Sequence, residues 1–438
     1  MKTFVKNSLM TFLSRIATAV FTVIITVVVA RSLGPNGQGI YSVATLFPSL
    51  LLVFLGFGMN TGVVFFMGKE KYPRSQIFGT TIFSNFLISI VAVSAGFFII
   101  FFTADKFFPG IEKIYLFLSL SLVPLLLFFN LGCQILLGAH EFKKYNLISI
   151  FQSGLFLVLT LILLLALNFG VTVTILSQIF SYAVAIILLW LVAKKITKGI
   201  DFKPNFNYLK ESLVYGFKIH LTGIFDFLHS RIDLFFINLF LNPAFAGIYF
   251  AAVRLAEGVW LFSSSTSTVL FPRVAAEKDS QNLKDFTPLV CRNVLFVTFF
   301  MIILLFLISG WLINFLYSAE FLGAILPFRI LLLGSFVITG WHILVNDLAA
   351  RGKPMLNTYS IGISALLNII LNIFLIPAFG ITGAAFATVI SYFVMFFISL
   401  FFYAKESQNK IFDIIFVKKE DFIFYKDLLL AIKTKVIK

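Results

Sequence analysis

The chain has 438 residues, of which 60% are hydrophobic and 12% charged, and its mean hydropathy is +1.02. A water-soluble protein of this length could not keep that much apolar surface from solvent, so the composition excludes a soluble enzyme and demands an integral membrane protein. Cys133 and Cys291 are too few for a disulfide framework and suggest no metal site. The net charge of +15 would suit a nucleic-acid binder, but its distribution argues otherwise.

Apolar runs of about 20 residues or more suffice to cross a bilayer. They fall at 9–30, 41–66, 77–102, 114–137, 146–168, 172–193, 213–240, 247–271, 289–316, 324–349, 357–377 and 381–403. Gly, Pro and Asn punctuate the gaps, as in Gly34-Pro35-Asn36-Gly37 and Asn242-Pro243. The expected fold is an all-α integral membrane protein with twelve transmembrane helices.

With both termini cytoplasmic, the inner loops and tails hold 25 Lys and Arg and the outer loops three, Arg31, Lys106 and Lys113. That asymmetry orients the chain and accounts for most of the positive charge, with no nucleic acid involved. Residues 1–30 have the basic start of a signal peptide, but their apolar stretch is long for one. They read as the first span. Residues 405–438 mix Lys418, Lys419, Lys426 and Lys433 with Phe422, Phe424 and Leu428–Leu430. Such a cytoplasmic tail lies on the membrane as an amphipathic helix or frays into water.

The two hydrophobic halves echo each other. Leu33-Gly34-Pro35 and Gly39-Ile40-Tyr41 return 208 residues later as Leu241-Asn242-Pro243 and Gly247-Ile248-Tyr249. Phe169-Gly170-Val171-Thr172 returns after 210 as Phe379-Gly380-Ile381-Thr382. The chain therefore divides into a first six-helix half (1–193), a cytoplasmic connector (194–212), a second six-helix half (213–404) and the tail. Six spans per half is even, so the halves are parallel, related by an axis along the membrane normal. Paired halves suit alternating access, with the substrate path where they meet.

Span seven carries the chemistry. At 100° per residue, with Lys218 as zero, Thr222, Asp226, His229 and Asp233 fall at roughly 40°, 80°, 20° and 60°. His220 and Arg231 fall almost opposite, near 200° and 220°. A charge at bilayer depth costs about 2.5–3.5 kcal/mol, so neither stripe faces lipid. One must line a wet cavity and the other must meet a neighbouring helix. By depth, Arg231 can pair with Glu257 and Asp233 with Arg254 on span eight. These are either static ion pairs or a site where the cations hold an anionic head group. In the second case Asp226, His229, Asp233 or Glu257 carries a coupling ion. Arg suits phosphate because its planar fork donates two parallel hydrogen bonds. Arg15, inside span one, is a candidate for the same cavity. Arg329 reads as a snorkelling residue and Arg292 as an interface anchor, while His342, Asn346 and Asp347 form either a gate or caps. Asn60, Asn130, Gln134, Gln152, Gln178, Asn368 and Asn372 read as hydrogen-bonding glue between helices. Gly58 and Gly62 mark close helix packing. No Walker or HExxH sequence is present, and no cofactor is expected beyond a coupling H⁺ or Na⁺.

A first span ending in Ala30-Arg31-Ser32-Leu33-Gly34-Pro35, followed by Gly39-Ile40-Tyr41-Ser42, resembles the start of Wzx-type polysaccharide-biosynthesis flippases. These belong to the superfamily of multidrug/oligosaccharidyl-lipid/polysaccharide (MOP) exporters. The resemblance extends over nearly the whole chain as a MATE/MOP-like architecture. It implies a non-enzymatic, multi-pass protein of the cytoplasmic membrane that flips a polyprenyl-pyrophosphate-linked oligosaccharide. It also implies two halves forming a V around a cationic cavity walled by spans one, two, seven and eight. Carried onto this sequence by span, that places Arg15, Lys218, Arg231 and Arg254 where a pyrophosphate is met. The implied partners are the lipid-linked oligosaccharide, membrane lipids, and the polysaccharide polymerase and glycosyltransferases of the same pathway. Lipid II flippases of the superfamily usually carry two further spans, which this chain lacks. The alternative is a cation-coupled multidrug exporter on the same fold. Its cavity should be acidic, whereas five cations against three acids occupy spans one, seven, eight and ten here. A membrane-embedded polymerase or glycosyltransferase would need a sizeable outer loop or soluble domain.

Overall fold

In the computed structural model, residues 2–167, 170–260, 263–264, 266–267, 270, 274, 280–418 and 421 are described. The side chains of 2–9, 165–167, 218 and 280–283 stand outside that description. Among the described residues the chain is helical throughout and contains no strand. The first half comprises α1 (Lys2–Leu55), α2 (Met59–Lys69), α3 (Arg74–Phe107), α4 (Lys113–Leu120), α5 (Leu122–Gly138), α6 (Phe142–Leu167) and α7 (Gly170–Ile196). The second comprises α8 (Phe206–Phe240), α9 (Pro243–Gly258), α10 (Ser280–Tyr317), a 3₁₀ turn (Ala319–Ala324), α11 (Ile325–Ala350) and α12 (Pro354–Ser407), followed by α13 (Ile411–Ile415).

Eight helices among the described residues are long and apolar enough to cross a membrane. This is fewer than the twelve runs read from the sequence, for three physical reasons. First, α1 and α12, of 54 residues each, are helices run together across a kink. Gly34 (φ 65°) and Gly380 (φ 61°) sit in the left-handed region that glycine enters without a Cβ clash. At Gly380 the chain doubles back, since a Cβ on Gly383 would meet the Leu375 carbonyl oxygen at 2.0 Å. Second, α8 is long enough but heavily charged. Third, α9 ends at Gly258, and much of 261–279 lies outside the described residues. Gly170, the repeat counterpart of Gly380, has the same φ of 61°.

The run expected at 41–66 is interrupted. Phe57 (φ 48°) and Gly58 (φ 68°) break the helix between Leu55 and Met59. Broken backbone at membrane depth survives only where protein or a water-filled cavity satisfies it.

The halves join along one seam. The second segment of α1 packs on α9, and α2 packs on the start of α8. Beyond that start, α8 lies against α12, where Gly362 admits the Phe225 ring. The connector docks on the first half: Asn205 N donates to Thr80 Oγ1 at 3.0 Å, and Asp201 N to Ser75 O at 3.1 Å. Of the expected amphipathic tail, 419–420 and 422–438 lie outside the described residues. The described part is tied down by Arg292, which reaches the carboxylate of Asp421.

Candidate functional site

A cavity of about 320 Å³ opens on the seam. Its first-half wall sets hydroxyls and amides among apolar side chains such as Ile25, Leu46 and Phe156: Tyr41, Ser42, Thr45 and Ser49 from α1, Gln152 from α6, and Gln178 and Tyr182 from α7. Its second-half wall is formed by Phe227, Arg231 and Leu234 of α8 and by Phe250 and Arg254 of α9. Among the described lining residues, Arg231 and Arg254 are the only charged ones. Sequence reasoning missed the hydroxyl wall. Its signal was present, because Tyr41, Thr45 and Ser49 recur every four residues on one face of an apolar helix.

Glu257 holds the two arginines together. Its Oε1 accepts from Arg231 Nη1 at 2.6 Å and its Oε2 from Arg254 Nη1 at 2.9 Å. One carboxylate against two guanidiniums leaves a net positive charge at the cavity. Each arginine keeps N–H groups beyond those on Glu257. The buried Nε of Arg254 has no partner at all, and its guanidinium stacks 4.7 Å from the Phe250 ring centroid. Free planar donors on two adjacent cations are what a phosphate group requires.

The expected Arg231–Glu257 pair is present; the expected Asp233–Arg254 pair is not. Asp233 is buried and turned away from the cavity. It accepts from Tyr249 Oη at 2.7 Å and from Leu234 N at 2.8 Å. Depth along the helices allowed the pairing, but helix rotation prevented it.

The two stripes of α8 meet different surroundings. Arg231 meets the main cavity, and His220, on the same face, lines a second pocket. The opposite stripe meets α12: Thr222 Oγ1 bonds Thr358 Oγ1 at 2.8 Å and His229 Nε2 bonds Ser364 Oγ at 2.7 Å. Ser364 donates its own proton to Ser391 O, so His229 donates from Nε2. Asp226 is exposed on α8 and does not line the main cavity. The side chain of Lys218 lies outside the described residues. Arg15 is exposed and lies apart from the cavity wall.

Several other polar residues tie helices together. Arg329 Nε donates to Ser309 Oγ, and Asp347 accepts from Thr287 and Arg351. His342 Nδ1 lies 3.0 Å from Ser263 Oγ, and Asn368 Nδ2 donates to Ser391 Oγ. Among the described residues no group of three His, Cys, Asp or Glu could hold a metal.

The seam is shut on both sides of the cavity by glycine. At one end a Cβ on Gly39 would stand 1.7 Å from Pro243 O, and one on Gly247 would stand 2.0 Å from Pro35 O. Arg31 adds a bridge there, its guanidinium donating to the carbonyls of Phe315 and Leu316. At the other end Gly58 and Gly216 meet backbone to backbone, and Gly62 faces Ser212. Lys71 Nζ spans that end to Glu211 at 2.7 Å.

Residues 4–278 match the family model described as polysaccharide biosynthesis protein. The uncharacterized membrane protein MJ1375 of Methanocaldococcus jannaschii is 28% identical over 389 residues, which is 85% of this chain and 91% of that protein. The probable low-salt glycan biosynthesis flippase Agl15 of Haloferax volcanii is 28% identical over 198 residues, 44% of this chain and 41% of its own. In fold, the chain superposes on an inward closed conformation of the lipid II flippase MurJ with a TM-score of 0.78. The identity there is 19%, and the match covers 99% of this chain and 97% of the other.

Proposed function

Because the chain belongs to the polysaccharide biosynthesis protein family, we propose that it flips a polyprenyl-pyrophosphate-linked oligosaccharide across the cytoplasmic membrane. The observation that carries this reading is the cavity between the halves: among its described lining residues the charged ones are two arginines, bridged by one glutamate, facing a neutral wall rich in hydroxyls. Such a site attracts a pyrophosphate and repels the cationic compounds a multidrug exporter would carry. The sugar crosses in the wet cavity while the polyprenyl tail stays in lipid.

Alternating access would use twelve crossings. In this reading α1 and α12 each count as two, divided at the left-handed Gly34 and Gly380, and α8 and the helix that starts at Pro243 complete six per half. With the termini inside, as the basic loops favour, the Gly39–Pro243 contact is the outer gate and the Gly58–Gly216 contact the inner one. A coupling H⁺ or Na⁺ would act through Asp233 and Glu257. Both border a small void that also touches Thr388 and Tyr392 of the second half. The polymerase and glycosyltransferases of the pathway would supply and consume the substrate.

The test is mass spectrometry of polyprenyl-linked oligosaccharides in cells lacking the protein, with the leaflet assigned by accessibility to an added glycosidase. Build-up of a complete unit on the cytoplasmic face is the expected result. An unchanged lipid pool overturns the reading.

A further inference from the structure

Beside the arginine cavity lies a second pocket of about 420 Å³, and Tyr182 borders both. The size is within the usual small-molecule range of about 300–1,000 Å³. Its wall is the break in the second span, Gly56 to Thr61, together with the middle of α5. The break matters chemically. A helix that stops at Leu55 and restarts at Met59 takes backbone carbonyls out of the intrahelical ladder, and turn bonds satisfy two of them, Gly56 O from Met59 N at 3.3 Å and Gly58 O from Thr61 N at 3.0 Å. At membrane depth such groups are tolerated where they face protein or a wet cavity, and interrupted helices mark substrate sites.

Around the break the side chains are amides, hydroxyls and aromatic rings. Asn130 and Gln134 sit one turn apart on α5, with Gln134 Nε2 3.4 Å from Asn130 Oδ1. Asn130 is exposed to the pocket space, and the contact with Gln134 leaves both amides with capacity to spare. Asn60 is fixed in place, donating to Leu127 O at 3.2 Å and accepting from Asn85 at 3.0 Å. The rings of Phe129 and Tyr182 meet edge to face at 5.2 Å. His220 lies at the second-half edge, its buried Nε2 without a partner. Among the described lining residues there is no carboxylate, ammonium or guanidinium.

We propose that this pocket is a carbohydrate subsite for an uncharged sugar of the substrate, held by Asn130 and Gln134 beside the broken helix. The inference rests on the flippase reading and deepens it: charge recognition belongs to Arg231 and Arg254, and sugar recognition to the amides. The spare donors and acceptors of the two amides complement those of sugar hydroxyls. A uronic acid would bring its charge into a pocket whose described lining holds no ammonium or guanidinium to meet it.

The test uses purified full-length protein in nanodiscs and three probes: geranylgeranyl pyrophosphate, the same lipid bearing neutral N-acetylglucosamine, and the same lipid bearing glucuronic acid. The neutral-sugar probe should bind more tightly than the bare lipid, and the acidic one should lack that gain. Asn130→Leu with Gln134→Leu should weaken the neutral-sugar probe about tenfold or more while leaving the bare lipid unchanged. Arg254→Ala should weaken all three. If the leucine variants weaken bare and sugar-bearing lipids alike, or neither, the subsite is wrong and the flippase reading stands. If the bare pyrophosphate does not bind the wild-type protein, the flippase reading falls and the subsite with it. Bound-lipid recovery from Asn130→Ala, a smaller truncation, separates lost recognition from lost folding.

Discussion

Gly39→Ala should unlock the outer gate. The added methyl carbon would lie 1.7 Å from Pro243 O, 2.5 Å from its carbonyl carbon and 3.0 Å from Gly247 N. A Cβ does not approach a non-bonded heavy atom below about 3.0 Å, so the contact with Pro243 O must open by about 1.3 Å. No side-chain rotation can relieve the clash, since both partners are backbone. Overpacking of this kind costs about 1–3 kcal/mol. The cost falls on the closed state alone, so it shifts the closed-to-open ratio by about 5- to 150-fold. Thr45 lines the cavity below the gate, and Cys133 and Cys291 are buried, which gives a quiet background for labelling. In right-side-out vesicles, Thr45→Cys should react with a membrane-impermeant maleimide faster by that factor when Gly39→Ala is added. Unchanged labelling in a protein of normal thermal stability would refute the gate.

Arg231→Ala with Arg254→Ala should abolish export of lipid-linked sugar while the protein level in the membrane stays normal; full export by that variant would remove the arginines from the site. Glu257→Gln raises the cavity charge and should tighten geranylgeranyl pyrophosphate binding about tenfold while slowing turnover, measured by nanodisc binding and flux. Tyr249→Phe strips the buried Asp233 of its hydroxyl donor and should cost about 1.5–3 kcal/mol, read as a lower melting temperature with cavity binding unaltered. At the inner end, hydrogen bonding to Lys71 holds the Glu211 carboxyl below the usual carboxylate range. A lowered folded value stabilises the latch above the ordinary carboxylate pKa, and that gain fades as pH falls through the lowered one. Amide exchange in 206–216 should therefore be insensitive to neutral pH changes and accelerate in acid, beyond the intrinsic pH effect. Glu211→Gln should remove that acid step.

Much of the architecture was legible in sequence because the bilayer enforces it. Apolar runs must cover about 30 Å, and turns need residues such as Gly34 and Gly380, so these features appear in one dimension. The repeat of Phe169-Gly170 at Phe379-Gly380 likewise returned as two glycines with the same left-handed φ. The break at Phe57–Gly58 was not legible, since its residues are as apolar as the helix around it. Nor was the hydroxyl wall separated from ordinary packing, because Ser and Thr are common between membrane helices.

The charged helix α8 shows where the boundary lies. Composition and spacing alone determined that Arg231 and Asp233 lie on different faces, and that neither face could meet lipid. A rise of about 1.5 Å per residue also set their depths, which is why Arg231 and Glu257 could be paired in advance. Which face met water was a matter of rotation about the helix axis. Rotation is set by the neighbours: Phe225 against Gly362 and His229 against Ser364 turn one stripe onto α12. Arg231 is thereby left to the cavity, and Asp233 goes to Tyr249 instead of Arg254. Depth is a local property of a helix and is written in its sequence, whereas azimuth is a property of packed pairs and exists only in the folded protein.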